Sequence, residues 1–261
     1  YNFEISGSNG DSITYHLGNS DDDQYIGSNN TVHDCSISTS GADGIDMGTG
    51  TDGKVYNNDI QSCGHTSMIA GHKFQGELYR NYIHDSGAPA GEVVVIGQHI
   101  TVWGNLIVGN GDAPYLLLID DDNQTASIHT TDVKIYKNTW IWNGENHHGN
   151  EALEIADANG GLGTVEIKYN IISTLQSSMP TNAFVFVSST YHPDDSDFTS
   201  DYNVYGPGTF NCWQMSPNAN YSWSQWTSTL GNDTHGVNSD PLFVDRTGED
   251  FRLTSSSPAI G

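Results

Sequence analysis

The sequence predicts an all-β solenoid, a single-stranded right-handed parallel β-helix closed by a C-terminal cap segment, on three observations. A short phrase, apolar-x-x-Asn-x-apolar, recurs along the chain. Valine, isoleucine, tyrosine and threonine fill the surrounding strands. Glycine follows each copy at a nearly fixed distance.

The phrase occurs as Val55/Asn58/Ile60, Leu78/Asn81/Ile83, Val102/Asn105/Ile107, Ile135/Asn138/Trp140 and Ile167/Asn170/Ile172. An earlier copy, Val32/Cys35/Ile37, has cysteine in the asparagine place, and Asn203 stands in a degenerate later one. Counted from Cys35 the steps are 23, 23, 24, 33 and 32 residues. Self-similarity at periods of about 20–50 residues marks a solenoid, and strands this rich in β-branched residues exclude a helical repeat. Second strands fall between the copies, at residues 44–47, 67–70, 92–96, 115–119, 152–156 and 183–187. Gly41, Gly64, Gly87, Gly111 and Gly144 punctuate the joins. The reading assigns residues 1–205 to the coils and residues 206–261 to a Trp-bearing cap with closing strands.

One asparagine per coil calls for a structural cause. At a sharp bend asparagine tolerates left-handed backbone angles and bonds local backbone groups. Stacked coil upon coil, such side chains satisfy polar groups that the bend buries. A column of Asn58, Asn81, Asn105, Asn138 and Asn170 is therefore expected. Cys63 lies five residues beyond this column, about 16 Å along a strand from the row of Cys35, so no bridge between them is expected.

The 261 residues suffice for a sizeable core. Eight basic residues against 32 acidic ones give a net charge of −24, which repels nucleic acid and anionic membranes. The longest apolar run, Tyr115 to Ile119, is far too short for a membrane helix. The chain begins with a strand-like segment and without a leader, as a mature form or an excised piece would. Four Asn-x-Ser/Thr sequons, at Asn29, Asn123, Asn220 and Asn232, are compatible with export. Three cysteines, an odd number, argue against a disulfide framework.

The tail carries a resemblance. Trp226, Gly231, Asp233 and His235 lead into Asp240-Pro-Leu-Phe-Val-Asp245, then Phe251, Leu253 and Ser257-Pro-Ala-Ile260. This resembles the closing segment of secreted, polysaccharide-acting β-helix proteins of the pectate-lyase-like superfamily, which include lyases, hydrolases, epimerases and non-catalytic surface proteins. The acidic, lysine-poor style is similar to disaggregatase-related cell-surface proteins of methanogenic archaea. That likeness implies a secreted or cell-surface location and a uronate/amino-sugar, chondroitin-like matrix polymer as partner. It leaves homo-oligomerisation open.

For chemistry, aligning Met47, Ala70, Val95, Leu118 and Ile155 as one core column places Thr49, His72, Gly97, Asp120 and Asp157 in one row. Asp120 and Asp157 then sit on adjacent coils about 4.8 Å apart, close enough for one carboxyl to keep its proton beside an ionised partner. A spacing near 5 Å is that of a retaining glycosidase. Glu154 and His72 are the further candidates for proton transfer. The bland alternative is a solvated acidic edge.

A row two residues before the asparagines, including Tyr56, Tyr79, Trp103 and Tyr136, points outward. It serves either to stack on sugar rings or, more simply, to stack on itself. Lys73 and the loop histidines His147 and His148 are further candidate substrate contacts. The run Asp120 to Asp122 makes Asp121 and Asp122 candidate calcium ligands, with calcium the candidate cofactor, although the spacing matches no defined loop. The expected activity is glycoside hydrolysis by paired carboxylates. The alternatives are a calcium-assisted polysaccharide lyase and a non-catalytic carbohydrate-binding or adhesin module.

Overall fold

The computed structural model describes residues 4–15, 27–86, 90–110, 115–121, 129–143, 151–156, 161–175, 185–187, 196–208, 210–214 and 219–260. Apart from one six-residue helix, Trp223–Ser228, its regular elements are short strands wound into stacked coils with three faces.

The first face is a nine-stranded parallel sheet from Glu4–Ser8 to Val237–Asn238, passing through Asp59–Cys63, Leu106–Asn110 and Ile171–Thr174. The second face runs through Thr31–His33, Ile100–Trp103, Val133–Tyr136, Val165–Lys168 and Phe198–Asp201. The third runs through Ile13–Tyr15, Val93–Val95, Tyr115–Asp120, Glu151–Ala156, Val185–Val187 and Asn211–Gln214. Two twelve-residue strands, Ile45–Tyr56 and Met68–Tyr79, bend across the second and third faces and join them into one sheet.

Strand alternation sends one residue of each pair inward. Ile37, Val55, Ile83, Val102, Ile119, Ile155 and Ile172 fill a continuous interior with Phe74, Trp140 and Trp142.

The asparagine column forms as the spacing requires. Asn58 Oδ1 accepts one hydrogen bond, from the Cys35 N–H, and from Asn81 onward each member's Oδ1 accepts two from the coil before it. Asn105, for example, accepts from the backbone N–H of Asn81 at 2.9 Å and from its Nδ2 at 3.0 Å. Its own Nδ2 donates to the Leu78 carbonyl at 2.9 Å. The ladder starts at the Cys35 N–H, runs through Asn58, Asn81, Asn105, Asn138 and Asn170, and includes Asn203 as a full rung.

Two details differ from the sequence reading. The left-handed residue is the one before each rung: Asp34, Asn57, Arg80, Gly104, Lys137, Tyr169 and Tyr202 all have φ between 53° and 65°. The rungs themselves are free of that strain and act only as hydrogen-bond relays. The ladder also ends on Asp233, from the tail, whose Oδ1 accepts from the N–H and Nδ2 of Asn203. Its Oδ2 takes three more donors, Ser200 Oγ, Tyr205 Oη and Trp226 Nε1.

Parallel pairing therefore continues past residue 205, the expected border between coils and cap. Cys212 aligns with Val185, and Val237 with Val204. The solenoid is then closed by the antiparallel strand Ala219–Ser222 and by the short helix. Ser222 and Gln225 cap that helix reciprocally, and its Trp226 plugs the core. The hairpin Phe243–Asp245 with Asp250–Leu253 folds back along the outside of the first face. There Phe243, with Phe251 and Leu253, covers Val108, Ile141, Ile171 and Val204. Cys35, Cys63 and Cys212 are buried free thiols.

Candidate functional site

On the third face three strands lie in register. Val93, Leu117 and Leu153 align, as do Val95, Ile119 and Ile155, and both sets point into the core. Between them Val94, Leu118 and Glu154 form one row on the outer surface, continued backwards by Ile69 and Asp46. Although outward, Val94 and Leu118 are only 8 % and 9 % exposed. Glu154 thus lies in line with a withdrawn apolar strip, and the next coil continues its row at Phe186. Burial, and secondly the negative charge of Asp120, push its pKa up to about 7.

This register corrects the sequence alignment by one residue. Ile119, not Leu118, aligns with Ile155, so Asp120 lies beside Ala156 and does not share a row with residue 157. Asp120 points outward two residues beyond Leu118 and is therefore the diagonal neighbour of Glu154. Such neighbours lie about 7–8 Å apart between Cα atoms. The structure brings Asp120 and Glu154 together. Asp157, Asp122, His147 and His148 lie outside the described residues, as does the side chain of His72, whose backbone belongs to Met68–Tyr79.

Sequence reasoning missed Tyr115 as a member of the site. Its hydroxyl is pushed up to about 12 by burial, then by the charges of Glu154 and Asp120. The ring lies against Gly91, where an added Cβ would come within 2.1 Å of it; Gly91 also has φ +97°, so glycine is required twice over.

Asp121 has a different task. It is buried, accepts the Thr130 N–H at 3.0 Å and meets His129 Nδ1 at 3.0 Å. This unit packs against the bare Cα of Gly161. Its carboxylate fastens residues 129–130 to the end of the Tyr115–Asp120 strand.

A second acidic group was not legible because two coils contribute to it. Carboxylate oxygens of Asp11, Asp43 and Asp46 lie within 4.8 Å of one another, with His65 Nδ1 2.9 Å from Asp43. This hard-oxygen set has the chemistry of a divalent-cation site. Its nearest member to the strip, Asp46, is four coils before Glu154, about 19 Å along the axis.

The outward aromatic row stacks on itself. His33 and Tyr56 are 4.9 Å apart at 4°, Tyr56 and Tyr79 4.8 Å at 8°, Tyr79 and Trp103 4.6 Å at 1°. The faces of Tyr56 and Tyr79 are thereby occupied, and edges rather than faces meet solvent. Arg80 lies over the Trp103 ring. Tyr136 continues the row by backbone register with Trp103. Lys73 lies opposite Thr49 at the border of the third and second faces. A shallow depression of about 330 Å³ lies in the tail between Asp240, Phe243 and Arg246 and contains none of these groups.

Residues 6–193 match the family described as the right-handed β-helix region. The chain belongs to that family. Its members are common among polysaccharide-degrading enzymes and include non-catalytic proteins. Comparison with curated proteins and with solved structures gave no match.

Proposed function

We propose that this β-helix protein hydrolyses an extracellular polysaccharide, with Glu154 as general acid and Asp120 as the carboxylate that assists attack. The single observation behind this reading is that burial in line with an apolar strip, with the acidic Asp120 beside it, pushes the Glu154 pKa up to about 7. A carboxylic acid still protonated near neutrality is what a glycosidic leaving group requires. As diagonal neighbours on adjacent coils, with Cα atoms about 7–8 Å apart, the two carboxyl groups can face one glycosidic bond, one as acid and the other as base. The retaining geometry expected from an adjacent Asp120/Asp157 pair does not carry over to this pair.

The substrate class expected from the tail and the acidic composition is a chondroitin-like uronate/amino-sugar polymer, met in a secreted or cell-surface setting. Calcium-assisted elimination fits less well, because the Asp11/Asp43/Asp46 cluster is about 19 Å from Glu154 and could not neutralise a carboxylate held there.

The deciding experiment is product analysis on glucuronate/galactosamine polymers. Saturated reducing ends support the proposal. Ultraviolet-absorbing unsaturated ends point to a lyase, and absence of cleavage on any glycan points to a binding module. In Glu154→Gln the rate should fall by roughly 10²–10⁴, the usual contribution of a positioned acid.

A further inference from the structure

The carboxyl of Glu92 takes no part in the proposed reaction and is badly placed for a charge. Strand register sets Ser67 beside it on the coil before and Leu116 on the coil after, and all three residues are fully buried. On the serine side Oε2 accepts from Ser67 Oγ at 2.6 Å, and Ser67 is linked to Ser86 Oγ at 2.9 Å. Oε1 is buried with no hydrogen-bond partner among the described residues. In the neutral acid this oxygen is a carbonyl lacking one bond. In the anion it holds negative charge without a donor, at a far higher cost.

The backbone around Glu92 has the parts of a hinge. Its N–H donates to the Tyr115 carbonyl at 3.2 Å, its carbonyl accepts from the Met68 N–H at 3.0 Å, and Ala90 donates to the His65 carbonyl at 3.0 Å. Gly91 lies between, with φ +97°. Cys63 lies against the same cluster: its N–H donates to Ser86 Oγ at 3.0 Å, and its buried thiol adjoins the Ser67 and Ser86 hydroxyls. The titratable groups packed round Glu92 are Cys63 and Tyr115, pushed up to about 11 and about 12, chiefly by burial. Asp43 acts on Cys63, and Glu154 and Asp120 act on Tyr115. The His65 ring is turned to solvent and to Asp43. Burial raises Glu92 to about 8, against the pull of the two serine hydroxyls, so it changes charge before either packed neighbour.

We propose that Glu92, Ser67 and Ser86 form a proton-operated latch: the neutral acid keeps the corner at residues 90–92 shut, and loss of its proton opens that corner alone and exposes the Cys63 thiol. Once open, the carboxyl meets water and ionises as an ordinary glutamate does. From about pH 4.5 to about 8 opening therefore releases a proton, and each unit of pH favours the open form about tenfold; above that range the gain stops. Val93–Val95 follows the corner directly, so an open latch also admits water to the strip in line with Glu154. That consequence alone rests on the proposed function.

The test is labelling of the three thiols by an aromatic disulfide reagent from about pH 5.5 to 9, with each labelled cysteine identified by peptide mapping. Cys35 and Cys212 are buried in other parts of the core and report global unfolding. Thiol ionisation is common to all three and cancels in a ratio of rates. The rate at Cys63 relative to Cys35 and Cys212 should rise about tenfold per pH unit and level off near pH 8. In Glu92→Gln, which never ionises, the ratio should stay constant. Equal acceleration of all three thiols overturns the latch, as does a wild-type ratio independent of pH or a Glu92→Gln protein that keeps the rise. Should the variant not fold, the wild-type ratio still decides. The proposed function fails separately: the expected labelling in a protein that cleaves no glycan rejects hydrolysis and leaves the latch in place.

Discussion

Replacing Glu92 by glutamine should make the protein more stable, and increasingly so as pH rises. Glu92 is fully buried at the corner leading into Val93–Val95. Its Oε2 accepts from Ser67 Oγ at 2.6 Å, while Oε1 is buried without a partner. Ser67 is bonded to Ser86, and Ser86 accepts the Cys63 N–H. Burial pushes the Glu92 pKa from 4.5 to about 8. The sign follows from proton counting. Between pH 4.5 and 8 the unfolded chain has released this proton and the folded chain has not, so stability falls with rising pH. Above pH 8 the loss is complete. A shift of about 3.5 units corresponds to roughly 5 kcal/mol, an upper figure because water can relax into a strained core. Glutamine is isosteric, still accepts from Ser67 and never ionises. Urea unfolding of both proteins at pH 5, 6, 7 and 8.5 should therefore give a difference that widens by about 1.4 kcal/mol per unit and then levels off. Other titrating groups are common to the two proteins and cancel. Parallel stability curves from pH 5 to 8.5 would refute the reasoning and show that Glu92 ionises in place at little cost.

Asn105→Ala removes the acceptor of two Asn81 donors and should cost about 1–3 kcal/mol in chemical unfolding, with an unchanged midpoint counting against the ladder. Asp233→Ala strands five donors at the ladder's end and should cost more, about 3–5 kcal/mol, measured in the same way. Glu154→Gln should lose activity yet gain stability above pH 7, by up to about 3 kcal/mol from its raised pKa, whereas a structural carboxylate would lose both. Asp120→Asn removes the charge that helps hold the Glu154 proton, so any residual activity should decline at a lower pH than in the wild type.

The ladder was legible because one residue type, at one place in each coil, has no other explanation at that period. Asn203 looked degenerate only because its flanks are irregular; its two bonds from Asn170 are as short as any in the column. Asp233 was read as part of a tail motif, since it breaks the residue type and comes after 30 residues. Its signal was the Trp226 and Asp233 combination, an indole donor close to a carboxylate.

Register on the third face was harder for a physical reason. Leu116, Leu117, Leu118 and Ile119 are four apolar residues in a row, so alternation cannot say which pair points inward. A slip of one residue exchanges the two faces, and it moved Asp120 from a presumed partner at 157 to a diagonal one at 154. Glu92 was hidden for the converse reason, because an acid beside a glycine corner reads as a solvated loop.

The three faces also explain why the proposed chemistry is assigned to the third. On the first, the tail hairpin already covers the outer residues Val108, Ile141, Ile171 and Val204. On the second, the outer aromatic row uses its ring faces against itself, at spacings of 4.6–4.9 Å that follow the coil repeat. Among the described residues, neither surface offers a withdrawn apolar strip in line with a carboxyl whose pKa burial raises to about 7. On the third, Val94 and Leu118 keep water from Glu154 on one side while Asp120 supplies negative charge on the other. Both effects oppose ionisation of the same carboxyl, and burial is the larger. A solvated acidic edge would show charge repulsion without the desolvation. The apolar strip, more than the acid count, is what separates the proposed catalytic row from the rest of this acidic surface.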